Sequence, residues 1–141
     1  MVERDVFMQR KNARENAFIL VFESICKKDE TAEEIFTKAT EVRDLEYDDY
    51  VKNVFFGAYQ QAAVIDAAVE KHAKGWKLQR ISPVSMAIIR LASYEIMFCD
   101  DIPPRVSINE AIELSKKYDD EKSYAFVNGV LNALASEYSG K

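Results

Sequence analysis

Between Pro83 and Phe98 the apolar residues do not keep to one side of a helix. Val84, Ala87, Ile88 and Leu91 form one stripe, while Met86, Ile89, Ile96 and Met97 fall well outside it. A helix that is apolar all round belongs in the middle of a larger bundle. At sixteen residues, interrupted by Arg90 and Glu95, the stretch is too short and too charged for a membrane span. It is read as a central helix with the rest of the chain packed around it. Arg90 and Glu95 are five positions apart, about 140° around a helix, so they cannot pair along one face. Buried charges need partners, so each is expected to bond to another segment as a structural ion pair.

The flanking pattern is helical too. A first helix is predicted from about Gln9 to Lys27, with a stripe of Ala13, Ala17, Leu20, Val21 and Ser24. A second stripe, Phe18, Phe22 and Ile25, lies beside it. Thr31-Ala-Glu-Glu34 is a capping-box pattern opening a short exposed helix to about Thr40. Tyr47, Val51, Val54, Ala58, Ala62, Ile65, Val69 and His72 step by three and four, which predicts one long helix from Tyr47 to His72. Gly57 falls in its middle, where glycine costs about 1 kcal/mol against alanine, and suggests close approach of another backbone. Residues Ala73 to Ile81, with Gly75 and Trp76, read as a connection. Pro103-Pro104 stops any helix crossing it. Ser107-Ile-Asn-Glu110 reads as a second capping box. The helix it opens buries Ile108, Ala111, Ile112 and Ser115 and turns Glu113 and Lys117 to water. A last helix from about Ser123 to Tyr138 buries Val127, Val130, Leu131, Leu134 and Tyr138. No alternation of strand type, internal repeat or low-complexity segment is present, so the fold class is all-α, a bundle of about six to seven helices.

Composition adjusts this picture in two places. The 141 residues, 48% apolar, suit one domain or two small subdomains sharing a core. The start of the chain lacks the apolar run of a secretory signal, and Cys26 and Cys99 make neither a CxxC pair nor a disulfide framework. A soluble cytoplasmic protein is expected. Net charge is −5, which argues weakly against a nucleic-acid partner. The segment Lys28–Asp49, however, carries −6 by itself, leaving the remainder at +1. Local patches, not the total, decide which partner is attracted.

Candidate chemistry is sparse. There is no GxSxG, P-loop, GxGxxG or HExxH, and His72 has no second histidine or cysteine at ligand spacing. No catalytic residue, metal site or cofactor is expected. Arg10, Lys11 and Arg14 cluster at the start of the first helix, an arrangement that either receives an anionic ligand or is a solvated helix end diluted by Glu15. In the last helix, Lys122, Phe126 and Gly129 share a flank about 95° from the buried stripe. A lysine for phosphate, a ring for stacking and a glycine for close approach make a single-strand site. The same spacing also fits a core-edge phenylalanine and a packing notch.

Several motifs together resemble the NusB transcription antitermination family. They are Ala13-Arg14-Glu15, Trp76-x-Leu78-x-Arg80-Ile81 and Ile88-Ile89-Arg90-Leu91-Ala92-x-Tyr94-Glu95, followed by Asp101-Ile102-Pro103, Val106-x-Ile108-Asn109-Glu110-Ala111 and Phe126-Val127-Asn128-Gly129-Val130-Leu131. The resemblance implies two small helical subdomains, about 1–75 and 76–141. It implies binding to the boxA element of nascent ribosomal RNA together with NusE, a small ribosomal subunit protein. It further implies indirect association with other Nus factors and RNA polymerase, suppression of premature termination, and no enzymatic activity. By matching position, Arg10, Lys11, Arg14 and the flank of Lys122, Phe126 and Gly129 are where RNA is met. The Phe126 ring is accordingly expected to be partly exposed, and the basic cluster to share one accessible surface with Lys122. Phe22 and the segment of Ser85 and Met86 match positions near the protein partner.

Two positions depart from the family pattern. Ser85-Met86 stands where an acidic–basic pair is common, and Ala125 stands where a basic residue often precedes the phenylalanine. These departures support an alternative reading, a helical protein–protein adaptor with little RNA affinity of its own. A third reading takes the chain as the accessory domain of an RNA methyltransferase, but no nucleotide-binding half is present in the sequence.

Overall fold

A computed structural model describes residues 8–73 and 81–138. Among them run seven α-helices: α1 (Arg10–Cys26), α2 (Ala32–Thr37), α3 (Asp49–Gln60), α4 (Ala62–His72), α5 (Pro83–Phe98), α6 (Pro104–Tyr118) and α7 (Glu121–Tyr138). A π-helical turn, Lys38–Val42, extends α2. The motif residues Trp76, Leu78 and Arg80 lie outside the described residues.

The helix α5 is the centre. Ser82 caps it by accepting a hydrogen bond from the Ser85 amide at 3.1 Å, and Pro83 occupies the first turn, where its missing N–H costs nothing. Ten of its sixteen residues are buried, a larger share than in any other described helix. It packs against α1, α3, α4, α6 and α7, which is why its apolar residues point in all directions. Ile88, Ile89, Leu91 and Ile96 are at most 2% exposed and join one core with Leu20, Phe55, Ile65 and Leu131.

Both interrupting charges find partners on other helices. Arg90 reaches α4, where its guanidinium forks onto Asp66, Nε to Oδ1 at 3.0 Å and Nη2 to Oδ2 at 2.7 Å. Glu95 is fully buried and meets α1, α3 and α6.

Four local expectations need correction. The predicted helix from Tyr47 to His72 is divided: Gln61 leaves helical geometry at φ −97° and ψ 15°. The seam continues across the break because Ala58 and Ile65 keep a two-turn spacing, and α3 then packs on α1 and α5 while α4 turns toward α5 and α7. Asp48, not Tyr47, marks the start, accepting from the Val51 amide at 2.9 Å. Ser107 does not cap a helix. Pro104 opens α6 three residues earlier, and Ser107 sits inside it with its hydroxyl turned to Glu95. Finally, Gly57 faces a side chain and not a backbone: a Cβ there would fall 2.2 Å from the Tyr94 hydroxyl. The capping box of Thr31 and Glu34 is present as read, with both reciprocal hydrogen bonds.

Candidate nucleic-acid interface

The start of α1 carries the first cluster of candidate residues, and the structure separates its members. Arg10 and Lys11 are exposed. The Arg10 guanidinium lies 4.1 Å from the centroid of the Tyr50 ring, a cation–π contact that fixes it on the α3 side. Arg14 is only 5% exposed and does not share their accessible surface. Its Nε donates to Glu95 Oε2 at 2.9 Å and its Nη2 to Oε1 at 3.2 Å. The Tyr50 hydroxyl donates to the same carboxylate, and the Ser107 hydroxyl does so at 2.7 Å. Burial works against the Arg14 charge, but hydrogen bonding and attraction to Glu95 outweigh it and hold the guanidinium above its ordinary pKa. Burial pushes the Tyr50 phenol well up, and the charge of Glu95 adds to the effect, so this ring stays a donor. Arg14 is therefore a fastener between α1 and α5 that sets where Arg10 and Lys11 project.

On the other side of α1, an open cleft of about 350 Å³ is bordered by Lys11, Glu15, Glu110, Glu113, Lys116 and Lys117. The Glu15 carboxylate accepts from Lys117 Nζ at 2.6 Å and from the Tyr118 hydroxyl. These two hydrogen bonds, Lys117 foremost, hold Glu15 below the usual carboxylate range. Lys116 also borders the next cleft, of about 640 Å³, with Tyr124, Asp119, Asp120 and Glu121. Its ammonium stands 5.5 Å from the centroid of the half-buried Tyr124 ring. Lys116 and Tyr124 are functional candidates that periodicity does not single out. Their signal lies in the turn Asp119-Asp120, which folds the end of α6 back beside the start of α7 and brings a lysine and a ring together. Asp120 caps α7 by accepting from the Ser123 amide at 2.9 Å.

The flank of α7 is split as well. Lys122 and Gly129 are exposed, and a Cβ at Gly129 would meet nothing within 4 Å. Phe126 between them is 5% exposed and belongs to the core, which corrects the expectation of a partly exposed ring. Helix α7 packs against α4, α5 and α6 together. Three neighbours widen its buried arc enough to take in Phe126 beside Val127 and Val130.

Of the residues matched to a protein partner, Phe22 is half-buried, its ring 6.4 Å from that of Phe18. Met86 is half-buried on α5. Ser85 is 2% exposed, and its hydroxyl donates to Asp119 Oδ2 at 2.5 Å, so it ties α5 to the α6–α7 turn and is not offered to a partner in this conformation. His72 Nε2 lies 2.6 Å from Glu137 Oε1, linking α4 to α7. Among the described residues no group of three or more potential ligands could hold a metal ion, and no helix is long and apolar enough to cross a membrane.

Among the described residues, six helices around a buried α5, with lysines, an arginine and tyrosine rings interleaved with acidic side chains around the first turn of α1 and the α6–α7 turn, define a compact all-helical protein with a mixed-charge, aromatic surface. The NusB family model matches residues 11–136, and the chain belongs to the NusB family. It is 44% identical to the transcription antitermination protein NusB of Acetivibrio thermocellus, covering 90% of this chain and 88% of that one. It is 38% identical to the protein of the same name from Clostridium acetobutylicum, covering 95% and 100%. Both relatives are named as antitermination proteins, not as enzymes. Among solved structures, T. maritima NusB superposes with a TM-score of 0.82 at 33% identity, covering 94% of each chain. A chain from the crystal structure of the antitermination factors NusB and NusE in complex with dsRNA superposes at 0.80 with 31% identity, covering 92% of this chain and 97% of that one.

Proposed function

We propose that this protein is an RNA-binding transcription antitermination factor of the cytoplasm. It binds the boxA element of nascent ribosomal RNA together with NusE and so joins other Nus factors on RNA polymerase. The observation that carries this reading is the match over nearly the whole chain to antitermination proteins, including a structural neighbour solved with NusE and dsRNA. The surface chemistry supports it. Arg10, Lys11 and Lys116 offer charge for phosphates, and Tyr124 offers an aromatic ring beside Lys116. Lys122 and Gly129 are exposed on the opposite flank of α7, across its buried stripe from Tyr124. Phe22 and Met86 remain the residues proposed to meet NusE.

The inward placement of Arg14 and Phe126, both matched to RNA, favours a second reading, a protein–protein adaptor with little RNA affinity of its own. A titration of boxA RNA at several salt concentrations, with and without NusE, separates the two. Antitermination by direct RNA contact predicts binding that weakens as salt rises. An adaptor predicts NusE binding with no RNA affinity contributed by Arg10, Lys11 or Lys116.

A further inference from the structure

The first turn of α1 stands between two concavities. On the α3 side, opposite the lysine cleft, lies a cavity of about 270 Å³ between α1, α3 and the end of α5. Arg10, Tyr50, Asn53, Tyr94, Cys99 and Asp101 line its wall, with Val54 and Ile102 buried at its base. Drug-sized sites run roughly 300–1,000 Å³, so this one suits a single small planar group.

Its lining carries both signs of charge and both hydrogen-bonding roles. Arg10 is held against Tyr50 and donates only; Asp101 is exposed and accepts; the exposed Asn53 amide does both. A phosphate, which presents acceptors only, would be repelled by Asp101. A nucleobase edge presents donors and acceptors side by side. At the rim, Tyr94 and Phe98 are stacked, centroids 5.2 Å apart at an interplanar angle of 29°, and Phe98 is 41% exposed. Tyr94 can lie where it does only because Gly57 has no side chain beneath it. A pre-stacked pair of rings, the outer one exposed, beside a mixed polar cavity is what single-stranded RNA recognition uses: one base splayed into a pocket, its neighbour stacked on an aromatic platform.

We propose that this cavity reads one unpaired guanine of the bound RNA, with the neighbouring base stacked on Phe98. Guanine is the base whose N1–H and N2–H₂ donors lie side by side, matching the two oxygens of Asp101. Its O6 acceptor then faces Arg10 or Asn53. The RNA crosses the first turn of α1, with phosphates on the lysine side and this base on the other. This site rests on the RNA-binding reading given above.

The test uses oligouridine carrying one central guanosine, the same RNA carrying inosine, which lacks the N2 amine, and oligouridine alone. Each is titrated against the full chain with and without NusE. The guanosine RNA should bind roughly tenfold more tightly than oligouridine, the effect of one well-aligned pair of hydrogen bonds, and inosine should lose part of that gain. Asp101→Asn should abolish the preference for guanosine over uridine RNA, and Asn53→Ala should reduce it. Phe98→Ala should weaken all three RNAs. Both polar side chains are exposed, so the variants are checked for unchanged melting and either one suffices. Equal binding of guanosine and uridine RNAs, or a preference that survives both Asp101→Asn and Asn53→Ala, overturns the guanine site and leaves the RNA-binding reading standing. No binding of any RNA, even with NusE, overturns both.

Discussion

Arg14 and Glu95, 81 residues apart in the chain, meet in the interior through two parallel hydrogen bonds, and neither side chain is more than 6% exposed. The pair joins the first helix to the central one. Tyr50 and Ser107 complete the carboxylate's partners, so α1, α3, α5 and α6 converge on one buried acid. Removing one member leaves the other charged and unpaired away from water, at a cost of about 3–5 kcal/mol. Arg14→Ala and Glu95→Ala should each lose stability on that scale in denaturant unfolding. Arg14→Lys should recover little of it, because an ammonium cannot form the fork.

The position of Phe126 in the sequence and its place in the fold point to different roles. As a side chain 5% exposed in the core, Phe126→Ala should cost about 3–5 kcal/mol of stability. Phe126→Leu should cost clearly less. A Phe126→Ala protein that melts as the wild type does, while losing RNA affinity, would restore the ring to the RNA surface.

Gly57 and Tyr94 should be coupled. Alanine at position 57 puts a methyl 2.2 Å from the Tyr94 hydroxyl, so the ring must swing off its place beside Phe98. Overpacking of this kind costs typically about 1–3 kcal/mol. In a Tyr94→Ala background the obstacle is gone, and the same Gly57→Ala change should stabilise the helix by up to about 1 kcal/mol. A double-mutant cycle by thermal unfolding measures the coupling, which vanishes if the ring moves at no cost.

The acid limb of stability should carry a signature from Glu15. Hydrogen bonds from Lys117 and Tyr118 hold this carboxyl below the usual range in the folded state. A group whose pKa is depressed by folding contributes stability above its unfolded pKa and loses it as pH falls through the folded one. The difference in unfolding free energy between the wild type and Glu15→Gln should therefore be present at neutral pH and fade as the solution is acidified below the ordinary glutamate pKa. Tyr118→Phe should move the Glu15 titration, followed by carboxyl NMR, up toward its ordinary value.

Much of this architecture is legible in the chain because α5 is apolar on every side, which forces it to the centre and forces Arg90 and Glu95 to find partners elsewhere. The partners themselves are not legible, since nothing local ties Arg14 to a residue 81 positions away. Its inward direction is. Arg14, Ala17, Phe18 and Val21 are spaced as one buried helical stripe, as are Ser85, Ile88, Ile89 and Ala92. In both cases a polar residue opens an apolar stripe, and polarity alone suggests a surface role that the spacing contradicts. The break at Gln61 leaves no such trace, because the seam resumes in phase after two turns. Lys116 and Tyr124 become neighbours only through the α6–α7 turn, a tertiary fact outside any helical period.

That pair decides how the lysine side of the interface works. If Arg10, Lys11 and Lys116 each neutralise one phosphate, log K for single-stranded boxA RNA should fall with log salt at a slope near −2, about −0.7 per phosphate. Lys11→Ala and Lys116→Ala should each weaken binding to any sequence and flatten the slope by about 0.7. Tyr124→Ala should behave differently. Losing a stacking ring costs about 1–3 kcal/mol of affinity without changing the counterions released, so the slope should stay as it is. The lysine changes remove exposed charge and should leave the melting temperature nearly unchanged. Arg14→Ala is the control, with affinity falling only as far as the fold is lost. A slope unaffected by either lysine, or RNA affinity untouched by Tyr124→Ala, would move the binding surface away from the α6–α7 turn.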